Sequence, residues 1–262
     1  MRTPEIEKVT VVGSGNVATH LAKAFFESGL TISGIYSRTL SNAETLAKKV
    51  DSRALTTIDE LDGNYDLLVL AVPDIAIADV ARSLPPQQPL TVHVSGSTAM
   101  DALEPHCEHY GVLYPLQTFT KDEPLEYGEI PFCIEASSDL NVALLQQIAR
   151  KVTTDVRIVD SRQRLVIHLS AVYASNFTNF MNVIANDILH RQGISRDILF
   201  PLIRETTQKI LKNDPITVQT GPAVRGDHGT LQKHVEALSM DIENQKIYRI
   251  LSEEIQKYFK DL

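Results

Sequence analysis

Lys8-Val9-Thr10-Val11-Val12-Gly13-Ser14-Gly15-Asn16-Val17-Ala18 is the stretch on which the reading of this chain turns. A β-branched run passes directly into a G-x-G-x-x-A pattern, and an amphipathic helix follows in which Val17, Leu21, Ala24 and Phe25 share one face. Each position has a physical task. Gly13 permits the tight turn, Gly15 lets backbone approach a pyrophosphate, and Ala18 allows helix to pack closely on strand. The spare N–H groups of the helix N-terminus, around Ser14, Asn16 and Val17, then face the phosphates. Gly29 stands where this helix should end in a left-handed turn.

Working outward, strand-like runs are expected at Val9–Val12, Thr31–Tyr36, Leu67–Val72, Leu90–Val94, Gly111–Tyr114, Pro131–Glu135 and Val156–Val159, alternating with helices. Ser41 and Glu44 have the spacing of a capping box for the second helix. The fold expected is a Rossmann-type, doubly wound, mainly parallel α/β sheet over residues 1–160. After Asp160 the pattern becomes helical. Ser161 to Gln192 holds neither Gly nor Pro and reads as one helix of roughly 48 Å, with further helices near Arg196–Asn213, Thr230–Met240 and Asn244–Lys260. Residues 161–262 are expected to form an all-α C-terminal domain for dimerisation and substrate binding.

The end of the second strand speaks to the kind of dinucleotide. An acid usually meets the ribose 2′-hydroxyl there, yet none occurs between Leu30 and Ala43. Ser37-Arg38-Thr39 stands in its place, and a guanidinium fork flanked by two hydroxyls suits a 2′-phosphate. NADP(H) is the expected cofactor. A net charge of −8 and the lack of a basic stripe exclude a general nucleic-acid binder. With Cys107 and Cys133 as the two cysteines and no secretory pattern at the N-terminus, free thiols and a cytoplasmic protein are expected.

With VVGSGNVA, YSRT and LAVPD in place, and a helical second half, the chain resembles the superfamily of 6-phosphogluconate dehydrogenase, pyrroline-5-carboxylate reductase and prephenate dehydrogenase. Within it, VHVSGS, YPLQTF, HLSAVYASNFTNF and TGPAVRGD are similar to a family of NADP oxidoreductases of unassigned substrate. The resemblance implies that Ala71, Val72 and Pro73 line the nicotinamide side, and that the C-terminal helices pair two subunits. The sequence also departs from the superfamily. If Asn176 is the asparagine of the hydroxyacid dehydrogenases, Val172 holds the position of their lysine, and no lysine occurs between Lys151 and Lys209. Tyr114-Pro115 stands where prephenate dehydrogenases carry histidine before proline.

Leu165 to Asn186 contains no Asp, Glu, Lys or Arg, which points to burial at a domain or subunit interface. It holds too many Asn, Ser and His residues for a membrane span. At 100° per residue, His168, Ser175, Asn179, Asn182 and Asn186 fall within about 40° of one line. That polar stripe suits a wet cleft, with His168 and Asn176 or Asn179 facing the nicotinamide, or equally a hydrogen-bonded helix contact. Ser95 follows a strand at the ligand-binding edge and is a candidate contact, Ser97 a candidate helix cap, and His93 a core histidine. Arg225 could anchor an anionic substrate or form a salt bridge. The leading reading is an NADP(H)-dependent oxidoreductase acting on a small carbonyl or imine compound. In it His168 donates the proton, Asn176, Asn179 and Ser95 assist, no metal takes part, and the protein is a homodimer without membrane or nucleic-acid partners. The rival is a non-catalytic NADP(H)-binding sensor or scaffold.

Overall fold

The computed structural model describes residues 5–86 and 88–260. The chain divides into two compact units, Met1–Asn176 and Phe177–Leu262. The division falls one helix later than the change of sequence pattern near residue 160, because the helix that follows Asp160 belongs with the sheet.

The first unit is an eight-stranded sheet: β1 (Lys8–Val12), β2 (Thr31–Tyr36), β3 (Ala54–Leu55), β4 (Leu67–Leu70), β5 (Leu90–His93), β6 (Tyr110–Pro115), β7 (Phe132–Ala136) and β8 (Val156–Ile158), in the order β3-β2-β1-β4-β5-β6-β7-β8. All neighbouring pairs are parallel except β6 and β7. The chain winds outward from β1 in both directions, so β1 and β4 flank the switch point beyond whose carboxyl ends ligands bind in open sheets. Helices α1 (Asn16–Glu27), α2 (Leu40–Lys49), α3 (Ile77–Arg82) and α4 (Asp139–Val152) cover the faces. β4 and β5 are buried at every residue, as expected of strands covered on both sides. One core gathers Val9, Val11, Phe25, Leu67 and Val69, and the other gathers Val12, Leu68, Leu70 and Leu103.

Several boundaries differ from the sequence expectation. The strand at Leu67 stops at Leu70 and leaves Ala71, Val72 and Pro73 in a loop. The edge strand β3, only two residues long, carried no alternation to betray it. The Ser41–Glu44 capping box does not form: α2 begins at Leu40 with Thr39 as its N-cap and no side-chain cap. Gly29 has φ +84, and the N–H groups of Gly29 and Leu30 return to the carbonyls of Phe26 and Phe25. Cys107 and Cys133 are free and buried, and burial pushes both thiols up.

Helical residues run without a break from Ser161 to His190, although not as one α-helix. α5 (Ser161–Ala171) passes through a π-helical segment, Val172–Phe177, into α6 (Thr178–His190). The second unit continues with α7 (Phe200–Lys212), α8 (Pro215–Val218), α9 (His228–Ala237) and α10 (Ile242–Lys260). Pro201 sits in the first turn of α7, where its missing N–H costs no hydrogen bond. Asp227 caps α9 by accepting from the Thr230 N–H at 3.0 Å, and Arg225 forms no ion pair with a described residue. The uncharged stretch is not buried within the chain: Leu165, Val166, Leu169, Phe180, Met181 and Val183 are exposed. No helix among the described residues is long and apolar enough to cross a membrane.

Candidate active site

β1 ends where Gly13 turns the chain with φ +128, and a Cβ at Gly13 would lie 2.1 Å from the Ala71 carbonyl oxygen. Backbone conformation and the close approach of β4 both require glycine here. Gly15, the N-cap of α1, faces open space. The loop opens onto a cavity of about 310 Å³ whose other walls are Tyr36 to Thr39, Asn42, and Ala71 to Pro73. The hydroxyls of Ser14 and Ser37 lie 2.8 Å apart and join the two loops. Neither α1 nor α2 has a side-chain cap, whereas Ser138 and Asp160 cap α4 and α5. The first N–H groups of α1 and α2 are thus left for an anion. Arg38 is exposed, without an ion pair to a described residue, and no carboxylate lines the cavity. The donor set fits phosphate groups at both helix N-termini.

A second cavity, of about 890 Å³, adjoins it: consecutive residues Pro73 and Asp74 each line one of the two. Its walls come from the carboxyl ends of β5 and β6, the segment Leu116 to Phe119, and the last turns of α5 with the π segment. Here the Tyr114 hydroxyl and His168 Nδ1 are 3.1 Å apart, with the rings edge to face. A Cβ on Gly96 would come within 2.6 Å of His168 Nδ1 and 2.8 Å of Tyr114 Cζ, so glycine is what lets the two rings meet over the loop. Burial, the largest cause, pushes the Tyr114 phenol up to about 12. Tyr114 therefore keeps its proton at neutral pH and is able to donate it in a hydrogen bond to His168 Nδ1.

The loop after β5 keeps Ser95 in the cavity lining but does not use Ser97 as the cap expected of it. Ser95 Oγ accepts from the N–H groups of Ser97 and Thr98 at 3.1 and 2.9 Å, while Ser97 caps no helix and donates to Asp74 Oδ2 at 2.5 Å. His93 is fully buried: its Nδ1 accepts from the Ser95 N–H and its Nε2 donates to the Ala99 carbonyl. Burial pushes it down to about 4. It is a neutral brace beneath the loop.

α5 is held in place by Arg164, 1% exposed. Arg164 donates to Glu135 Oε2 at 2.5 Å, to the Thr98 carbonyl at 2.6 Å and to Ser161 Oγ at 3.1 Å. Ser161 donates to Glu135 through N–H and Oγ–H and accepts from the Met100 N–H. One ion pair thereby ties β7, the loop after β5 and the start of the helix that bears His168. His20 of α1, buried behind the lining residue Phe119, donates from Nε2 to the Thr120 carbonyl at 2.8 Å, its Nδ1 lies 3.0 Å from the Tyr127 hydroxyl, and its ring packs on Phe119.

Gly13, Ser14, Gly15, Ser37, Arg38, Thr39, Ala71, Val72 and Pro73 line the first cavity; Asn16 lines neither, and Val17 lines the second. His168, Asn176 and Ser95 come together in the second cavity. Asn179 does not. It lines a cavity of about 150 Å³ with Asn182, Asn186, Arg196 and Phe200. The expected stripe assumed 100° per residue, and the π-helical turn, with its i→i+5 bonds, breaks that period between His168 and Asn179. Sequence reasoning missed Asn42, Asp74 and Tyr114. Tyr114 is the penultimate residue of β6, at the ligand-binding edge, the rule already applied to Ser95. No group of His, Cys, Asp or Glu among the described residues could hold a metal ion.

Two family models match: a Rossmann-like domain over residues 1–117 and a domain of unknown function, DUF2520, over residues 130–255. The "putative NADP oxidoreductase BF3122" of Bacteroides fragilis is 38% identical, with a TM-score of 0.91 over 97% of this chain and 98% of its own. The chain belongs to its family. Protein TM1727 of Thermotoga maritima (22% identity, TM-score 0.73, 97% and 98% covered) and a reductive aminase of Aspergillus terreus in complex with NADPH and ethyl-5-oxohexanoate (14%, 0.72, 98% and 95%) share the fold. No curated protein matches the chain. The family match bears out the resemblance drawn from the sequence motifs, and the sheet order and helical second half bear out the fold class.

Proposed function

We infer that the protein is an NADP(H)-dependent oxidoreductase acting on a small carbonyl or imine substrate. The observation that carries this reading is the pair of adjoining cavities at the carboxyl ends of the strands, one at the switch point and suited to phosphates, the next holding the Tyr114–His168 pair. The family relationship to a protein described as an NADP oxidoreductase supports it. Bound NADPH would supply the hydride. Gly13 to Gly15 and the α1 N-terminus hold the pyrophosphate, and Ser37, Arg38, Thr39 and Asn42 hold the 2′-phosphate. Ala71 to Pro73 line the nicotinamide side. His168 Nε2–H or the Tyr114 hydroxyl gives the substrate heteroatom its proton, which requires an approach of about 2.6–3.2 Å directly or through one water. Asn176 and Ser95 line the same cavity and are available to orient the substrate.

Oxidation of NADPH by the purified protein, screened over imines, 2-keto acids and 3-keto acids, tests the reading. NADPH binding without turnover of any of them would leave the non-catalytic sensor, a reading favoured by the absence of lysine from the second cavity. Arg38→Ala should weaken NADPH far more than NADH, by about 1.5–3 kcal/mol for a charge-assisted contact. Equal losses for both cofactors in a titration would refute the 2′-phosphate role. The exposed apolar side chains of α5 and α6 further support a homodimer in which a second copy covers them. Light scattering at micromolar concentration should give twice the chain mass, and a monomer would refute it.

A further inference from the structure

The second cavity has a lopsided charge. Among its lining residues Asp74 is the one acid, and there is no lysine or arginine. Asp74 follows Ala71-Val72-Pro73 directly, so its carboxylate stands beside the lining proposed for the nicotinamide. Ser97 holds Oδ2 by a 2.5 Å hydrogen bond, and Oδ1 accepts no hydrogen bond among the described residues. The charge is felt at the centre of the site: burial is the main cause at both groups, and Asp74 adds to the rise of Tyr114 and partly opposes the lowering of His93. Much of the remaining wall is apolar, with Val94, Leu116, Phe119 and Ile167 among it. Arg164, the nearest buried cation in the network, is already committed to Glu135.

We propose that this cavity takes its substrate as a cation, a protonated imine or amine with apolar substituents, and that Asp74 is the residue that selects it. The inference rests on the oxidoreductase reading of the same site and narrows it. A carboxylate-bearing substrate would meet Asp74 with no lysine or arginine in the lining to offset the repulsion. An iminium or ammonium N–H can donate to the open Oδ1 while Ser97 holds the other oxygen, and its ring or chain covers the apolar wall. Asp74 is thus a specificity-determining residue, separate from the Tyr114–His168 pair that handles the proton.

The test uses the full chain saturated with NADP⁺ and two probes of similar size and opposite charge, 1,2,3,4-tetrahydroisoquinoline and cyclohexanecarboxylate, titrated calorimetrically. The amine should bind the wild-type protein more tightly than the carboxylate. Asp74→Asn, which keeps an acceptor for Ser97, should weaken the amine roughly ten- to a hundredfold, the value of one charge-assisted hydrogen bond. Asp74→Glu should restore part of the loss, and thermal melting checks that both variants fold. Tighter binding of the carboxylate, unchanged amine affinity in Asp74→Asn, or no amine binding at millimolar concentration each overturns the proposal. NADPH oxidation with 3,4-dihydroisoquinoline and with 2-keto acids is measured in parallel. Asp74-dependent amine binding without any oxidation would uphold the cation site and refute the oxidoreductase reading; oxidation fastest with the keto acids would do the reverse.

Discussion

Replacing Arg164 by Met isolates the contribution of the buried ion pair. The change removes the hydrogen bonds at 2.5, 2.6 and 3.1 Å to Glu135, Thr98 and Ser161 and leaves the Glu135 carboxylate, 17% exposed, without its cation. Breaking a buried pair from one side typically costs about 3–5 kcal/mol. Three features soften that figure here. Glu135 keeps the Ser161 N–H and Oγ–H, Met refills the space of the aliphatic stem, and the buried Nε, which has no partner, is removed. The expected net loss is about 2–4 kcal/mol. At about 2–4 °C per kcal/mol for a chain of this size, the melting temperature should fall by roughly 5–15 °C. Calorimetry or urea unfolding measures it. The double variant Arg164→Met with Glu135→Leu, which leaves no buried charge unpaired, should be less destabilised than the two single losses added together, by at least about 1 kcal/mol. A single-variant loss under about 0.5 kcal/mol, or strict additivity, would refute the idea that the pair is what holds α5 to the loop after β5.

Gly96→Ala should cost about 1–3 kcal/mol by overpacking and push His168 away from Tyr114; a crystal structure of the variant that retains the 3.1 Å contact would contradict this. His93 gives stability a pH dependence of defined sign. Its neutral form is favoured in the fold, with the pKa pushed from 6.5 down to about 4. Stability is therefore complete above pH 6.5 and declines as pH falls from there toward 4, by up to about 3 kcal/mol. Urea midpoints between pH 4 and 7 should flatten in His93→Gln, and an identical slope in both proteins would count against the assignment.

The Rossmann-like half of the molecule is legible because its signals are local. Strand, glycine turn and helix occupy eleven consecutive residues, and the absence of an acid after β2 needs no tertiary information. The second cavity depends on residues far apart in sequence. Nothing near Tyr114 announces that His168 will meet it across a glycine, and Asp74 reads as an ordinary loop acid until Ser97 is seen to reach it. Ser97 departs from its expected cap for a similar reason: Ser95 can cap the same turn, and the fold of the loop decides which serine does. Asn179 was grouped with His168 by a calculation that was sound for an α-helix. One π-helical turn, for which the sequence has no dependable signature, undid it.

The His20 anchor places a constraint on energies as well as on shape. The segment that walls the second cavity is fastened through Phe119, Thr120 and Tyr127 to α1, the same helix whose N-terminus opens to the first. An occupant of the first cavity that settles α1 also settles the segment, and an occupant of the second that needs the segment in place also steadies α1. Thermodynamic linkage makes that exchange reciprocal: whatever factor one ligand adds to the affinity of the other, it receives back. Order of addition would then matter for rate and leave the final occupancy unchanged.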